Sequence, residues 1–110
     1  MVTDKEVKLV DQLLDKTRRH GITWEPTAKD DEFISTLSGR VSFTVGAWHE
    51  TEILTMRDEL DRALLTVGSD SIPQVSELYA EARRFALKVD ESLDEVLDQL
   101  ERMGAADARG

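Results

Sequence analysis

The sequence predicts an α+β fold: an N-terminal helix, a three-stranded antiparallel meander, and a C-terminal helix or helix pair covering one face of the sheet. Three observations predict it. Apolar residues recur at steps of three and four in residues 4–20 and again across 73–103, the spacing of one helix face. Between these segments Val41, Phe43 and Val45 alternate with Ser42 and Thr44, the period of a half-buried strand. The gaps between strand-like runs are too short for a parallel crossover, which needs about a dozen residues.

The first helix is expected over residues 4–20, with Val7, Leu9, Val10, Leu13 and Leu14 on its apolar face. Thr3 or Asp4 can cap its start, and Glu6 lies in the first turn. Lys16, Arg18, Arg19 and His20 crowd its last turn, where cations oppose the helix dipole, and Gly21 follows as the expected stop. Ile22-Thr23-Trp24 reads as a short extended piece ending before Glu25-Pro26, because proline cannot donate to a central ladder. Residues 27–39 read as a helical turn or a loop held to the core by Phe33, Ile34 and Leu37.

The meander follows. Its first strand runs from Val41 through Gly46-Ala47-Trp48, and His49-Glu50 forms the turn. The second spans 51–57, with Leu54 and Met56 facing one way and Ile53 and Thr55 the other. Asp58-Glu59-Leu60-Asp61 makes a tight connection to a third strand over 62–67. Pro73 opens the last helical region at a position where proline is tolerated. Its apolar pattern admits one helix to Met103, ended by Gly104. A break at Val89-Asp90-Glu91, with Asp90 capping a second helix, is the expected form. Residues 1–104 are then one domain, and 105–110 a frayed tail.

The order of the N-terminal helix, Ile22-Thr23-Trp24-Glu25-Pro26-Thr27, the meander, Leu78-Tyr79-Ala80-Glu81-Ala82-Arg83-Arg84 and Val89-Asp90-Glu91 resembles small bacterial proteins with no assigned function. The resemblance spans nearly the whole chain and implies no catalytic residue.

Composition narrows the chemistry. The chain has 110 residues, 40% of them hydrophobic and 34% charged, enough for one self-supporting core. It contains no cysteine, which excludes disulfides, thiolate metal sites and cysteine nucleophiles and fits a cytoplasmic setting. No stretch is apolar enough to span a membrane, and the N-terminus does not read as a signal peptide. Net charge is −9. Such a field repels nucleic acid and anionic membrane, and a partner attracted by it is basic.

No constellation of residues points to catalysis, a metal or another cofactor. His20 reads as a helix-end cation. His49, with Glu50 and Glu52 nearby, sits at an exposed hairpin tip, which offers no desolvation. Asp30-Asp31-Glu32 and Asp58-Glu59-Leu60-Asp61 lack the spacing of a calcium loop. Ser35, Ser38 and Ser42 lack a glycine-flanked nucleophile elbow. The expected role is therefore non-catalytic binding of another protein, through a patterned acidic helical surface. On it Asp90, Asp94 and Asp98 recur at four-residue steps, and Glu91 and Glu95 lie beside them. Like charges so spaced repel by a few tenths of a kcal/mol per pair; only Asp98–Arg102 is spaced to relieve it. Trp48 is the other candidate contact, as an interface anchor or as a cover for the core's end. A free sheet edge also allows a homodimer. The rival reading is nucleic-acid-related: a DNA mimic presenting spaced carboxylates, or a weak binder using Lys16, Arg18, Arg19 and Arg83-Arg84 with a stacking tryptophan.

Overall fold

The computed structural model describes residues 3–37 and 39–107, with the side chains of residues 89, 90 and 105–107 left out of the description. Helix α1 (Asp4–Arg18) opens with a capping box. The Thr3 hydroxyl accepts from the Glu6 N–H at 3.2 Å, and the Glu6 carboxylate accepts from the Thr3 N–H at 3.2 Å. At its other end the Gly21 N–H donates to the Lys16 carbonyl at 2.8 Å, and the His20 N–H to the Thr17 carbonyl at 3.1 Å. This is a Schellman ending. The left-handed residue in it is His20, at φ 60°, and not Gly21 as expected. The His20 ring packs 5.7 Å from that of Phe85, which supports the less favourable backbone.

The sheet has five strands, not three, in the order β1-β2-β3-β4-β5, each antiparallel to its neighbour. They are β1 (Glu25–Pro26), β2 (Glu32–Leu37), β3 (Val41–Trp48), β4 (Thr51–Arg57) and β5 (Ala63–Gly68). The last three are the expected meander. The two added strands come from residues 25–37, expected to be irregular. Pro26 is tolerated because β1 is an edge strand, where a missing N–H leaves no ladder bond unmade. In β2, Phe33 and Ser35 are buried and Leu37 is not, so Leu37 does not anchor this segment to the core. The acidic run before Phe33 and the adjacent Phe33-Ile34 pair had hidden the alternation.

Cross-strand register sorts the side chains onto two faces. Phe33, Val45, Leu54 and Val67 form one row across four strands, and Ser35, Phe43, Met56 and Leu65 the next. These rows point to the helices. Helix α2 (Gln74–Ala86) lies over β1 to β4 and seats Val75, Leu78 and Ala82, all fully buried, onto them. Helix α1 packs on α2 and adds Val10, Leu13 and Leu14. Trp24 closes one end at 2% exposure. Its indole N–H donates to the Thr17 hydroxyl at 3.0 Å, which donates in turn to the Leu13 carbonyl at 2.7 Å.

The β4–β5 connection is organised by one carboxylate. Asp58 accepts from the Arg62 N–H at 2.9 Å, the Leu60 N–H at 3.0 Å and the Arg62 guanidinium at 2.8 Å. The Arg62 N–H leads in holding its pKa below 3.8, against a smaller opposing effect of desolvation; the Arg62 side chain and Leu60 N–H add to it. A depressed carboxylate contributes stability that is present above its unfolded value and lost as pH falls through its folded value. Asp58→Asn should therefore flatten the acid-side decline in urea midpoint below about pH 4. An unchanged acid limb would remove Asp58 from that role.

Helix α3 (Val89–Asp107) is the departure from expectation with most consequence. It runs through Gly104, so glycine does not end it there, and residues 105–107 are helical rather than frayed; 108–110 lie outside the described residues. The expected break exists, but at Leu87-Lys88. Lys88 sits at φ 53°, its N–H donating to the Phe85 carbonyl at 3.3 Å. Its own carbonyl accepts from the Ser92 N–H at 3.0 Å. Lys88 thus ends α2 and starts α3 with no linker between, and Asp90 is the second residue of α3 rather than its cap. Nor does α3 cover the sheet. It packs against α2, and all its described side chains, 91–104, are exposed. The chain measures 63 × 28 × 25 Å, with a radius of gyration of 17.6 Å. A compact chain of this length would have about 13 Å.

Candidate functional site

A 19-residue helix spans about 28 Å. Its apolar residues follow a heptad: Leu93 and Leu100 at the first seam position, Val96 and Met103 at the fourth. With Leu97 they share an arc of about 120° at 3.6 residues per turn. Leu97 is 55% exposed and Met103 61% exposed. The expected acidic residues lie on the other half of the same helix. Asp94 and Asp98 form one row and Glu91 and Glu95 another, all exposed, and Arg102 pairs with Asp98 at 2.8 Å. The Asp90 side chain lies outside the described residues. So the structure brings Asp94, Asp98, Glu91 and Glu95 together on α3, but turned away from its apolar stripe.

Trp48 stands elsewhere. It ends β3 beside the two-residue turn His49-Glu50, opposite Thr51. At 65% exposure it does not cover the core, and its indole meets the His49 ring edge-on at 4.9 Å. It rims a depression of about 350 Å³ on the open face of the sheet. Lys29, Asp30, Glu32, Gly46, Ile53 and Arg57 also line it, and no described residue of α3 does. Glycine at 46 keeps the floor low: a Cβ there would lie 3.2 Å from the Asp31 carbonyl. Arg57 is held over the floor by donating to the Thr44 hydroxyl at 3.0 Å, with Asp61 at 3.7 Å from its guanidinium.

Glu52 accepts from the Ser69 hydroxyl at 2.8 Å, bracing the far end of the β4–β5 hairpin. Among the described residues, no group of three or more histidines and carboxylates is placed to hold a metal ion. Ser35 is buried on the core face, Ser42 pairs across the sheet with Thr36 and Arg57, and Ser38 lies outside the described residues. The two basic spots do meet: Arg18, His20 and Arg84 surround a depression of about 100 Å³. Glu81 shares it and lies 3.9 Å from Arg18, so the patch is partly neutralised. Tyr79, 5.8 Å from Phe33 in ring centroids, has its pKa raised by burial, with the Asp31 carboxylate adding to the effect.

Among the described residues, no helix is long and apolar enough to cross a membrane. No protein-family model, curated protein or solved structure matches the chain.

The apolar stripe of α3 is the feature that sequence reasoning assigned to the wrong place. Its residues were expected to cover the sheet. The signal that could have redirected them is arithmetic: α2 alone nearly covers the one sheet face, and α1 completes the core, leaving α3 nothing to bury.

Proposed function

We propose that this is a non-catalytic protein-binding module that docks through the apolar stripe of α3. One observation carries the reading: five large apolar side chains on one helix face, each about half exposed or more, with no cover from the rest of the described residues. Helices draw most of their stability from burying such a face, and a lone helix of this length is marginal in water. The like-charged rows at four-residue spacing weaken α3 further when it stands alone. A contiguous apolar surface of this kind marks a contact site. The outward carboxylates keep the helix soluble and repel nucleic acid, and so disfavour the weak-binder form of the rival reading.

A photoreactive residue placed at Leu97 should give protein adducts in cell extract, and one placed at Asp98 should give few. Leu93→Asp with Leu97→Asp should remove a partner from Leu100 while leaving the melting temperature within about 2 °C, since neither residue belongs to the core. Equal labelling from both faces, or none from Leu97, sinks the reading.

A further inference from the structure

The surface on α3 is self-complementary, and we infer that its occupant is α3 of a second copy of this chain, packed antiparallel. The inference rests on the reading of α3 as a docking surface and names its partner. Three observations carry it. The first is the seam. Its heptad spacing is that of helices that pair with helices, each seam residue entering a hole on the facing helix. Antiparallel pairing stacks Leu93 on Met103 of the second copy and Val96 on Leu100, giving four layers by two-fold symmetry.

The second is charge. Flanking positions set partner choice in paired helices, and charges there select an oppositely charged partner. Here those positions beside the seam from Leu93 to Met103 hold Ser92, Leu97, Gln99 and Gly104. Alongside Leu93 to Met103 no carboxylate holds such a position to recruit a basic helix, Asp90 standing one turn before Leu93, and no like charges meet across the seam when it pairs with itself. Asp94, Glu95, Asp98 and Glu101 face outward, where solvent screens them. Antiparallel packing also sets the two acidic bodies at opposite ends of the pair.

The third is the foot of the helix. A groove of about 570 Å³ lies where α2 gives way to α3, lined by Trp24, Pro26, Phe85 and Ala86 with Lys88 at its edge. In an antiparallel pair the C-terminal end of the second copy's α3 arrives beside this junction. Leu87, exposed, lies in sequence between the groove-lining Ala86 and Lys88.

Sedimentation equilibrium decides the matter. The 12.4 kDa chain should reversibly reach twice that mass. Leu93→Asp with Leu100→Asp should raise the dissociation constant at least about 30-fold, with the circular dichroism of the sheet and core retained. Asp98→Asn should not weaken pairing. Added salt should strengthen it, because screening relieves repulsion between two acidic chains. As the chain has no cysteine, a mixture of Leu93→Cys and Met103→Cys proteins should oxidise to the mixed disulfide, and Leu93→Cys alone should not. A chain that stays monomeric at all concentrations, or a dimer indifferent to Leu93 and Leu100, overturns the inference. If the monomer still gives Leu97 adducts heavier or lighter than twice the chain mass, the docking reading stands and only the second copy is refuted. If Leu97 gives no adduct, both fall.

Discussion

Replacing Trp24 with alanine is expected to cost about 3–5 kcal/mol of folding stability, a large fraction of the total for a domain this size. The reasoning starts from position. Trp24 follows α1 by a short turn and precedes the edge strand β1, so it ties the helical layer to the sheet. At 2% exposure its ring is removed from water on all sides, and deletion leaves a cavity that rigid neighbours cannot close. The indole N–H adds a second, separable effect. It donates to the Thr17 hydroxyl, which is itself buried. Thr17→Val keeps the volume and strands that N–H without an acceptor, for an expected loss of about 1–3 kcal/mol. Urea denaturation of the two single variants and the double variant tests both. Once Trp24 is gone, Thr17→Val should cost less, because the buried donor has gone too. A Thr17→Val protein as stable as the parent would show that the hydrogen bond is energetically idle.

The second large effect separates two leucines that sequence pattern treats alike. Leu78 and Leu97 both fall on the apolar face of a C-terminal helix. Leu78 is fully buried between α1 and the sheet, whereas Leu97 is 55% exposed. Leu78→Ala should cost about 2–5 kcal/mol. Leu97→Ala should change stability by no more than about 0.5 kcal/mol when measured in dilute solution, where α3 has no partner. Raising the protein concentration should stabilise the parent more than the Leu97→Ala protein, since only binding to the folded state shifts apparent stability by mass action. Equal costs at the two positions would mean that α3 belongs to the core after all.

Periodicity made α1, β3, β4 and α2 legible, because each shows one face to a core within the same chain. Strand β5 lies one residue later at each end than expected. Strands β1 and β2 were not legible, for physical reasons visible in their residues. Pro26 argues against a ladder in general and not against an edge, and sequence alone does not say which strand will be the edge. Asp30-Asp31-Glu32 looks like a solvated loop because it is one, and β2 begins at its last residue. The left-handed turns were also misplaced. His20, Asp31, His49, Asp61 and Lys88 all take positive φ, and only His49 and Asp61 fall in turns expected from sequence.

The candidate site divides in the same way. The acidic rows were legible as rows, and their facing on α3 follows from helix geometry. Their role was not, because a four-residue repeat fixes which charges share a face and says nothing about what that face meets. The stripe of Leu93, Val96, Leu97, Leu100 and Met103 gives the same periodic signal whether it is covered by its own sheet or by another molecule. Only the direction of the chain after Lys88 distinguishes these cases.

That single left-handed residue divides the molecule's obligations. Upstream of Lys88, a substitution must satisfy a close-packed interior. Downstream, it must satisfy only a helix and whatever the helix meets. On the docking role proposed for α3, mutations that retune recognition can therefore accumulate along it without eroding the ability to fold, and a new specificity can be acquired by changing a few side chains on one protruding rod.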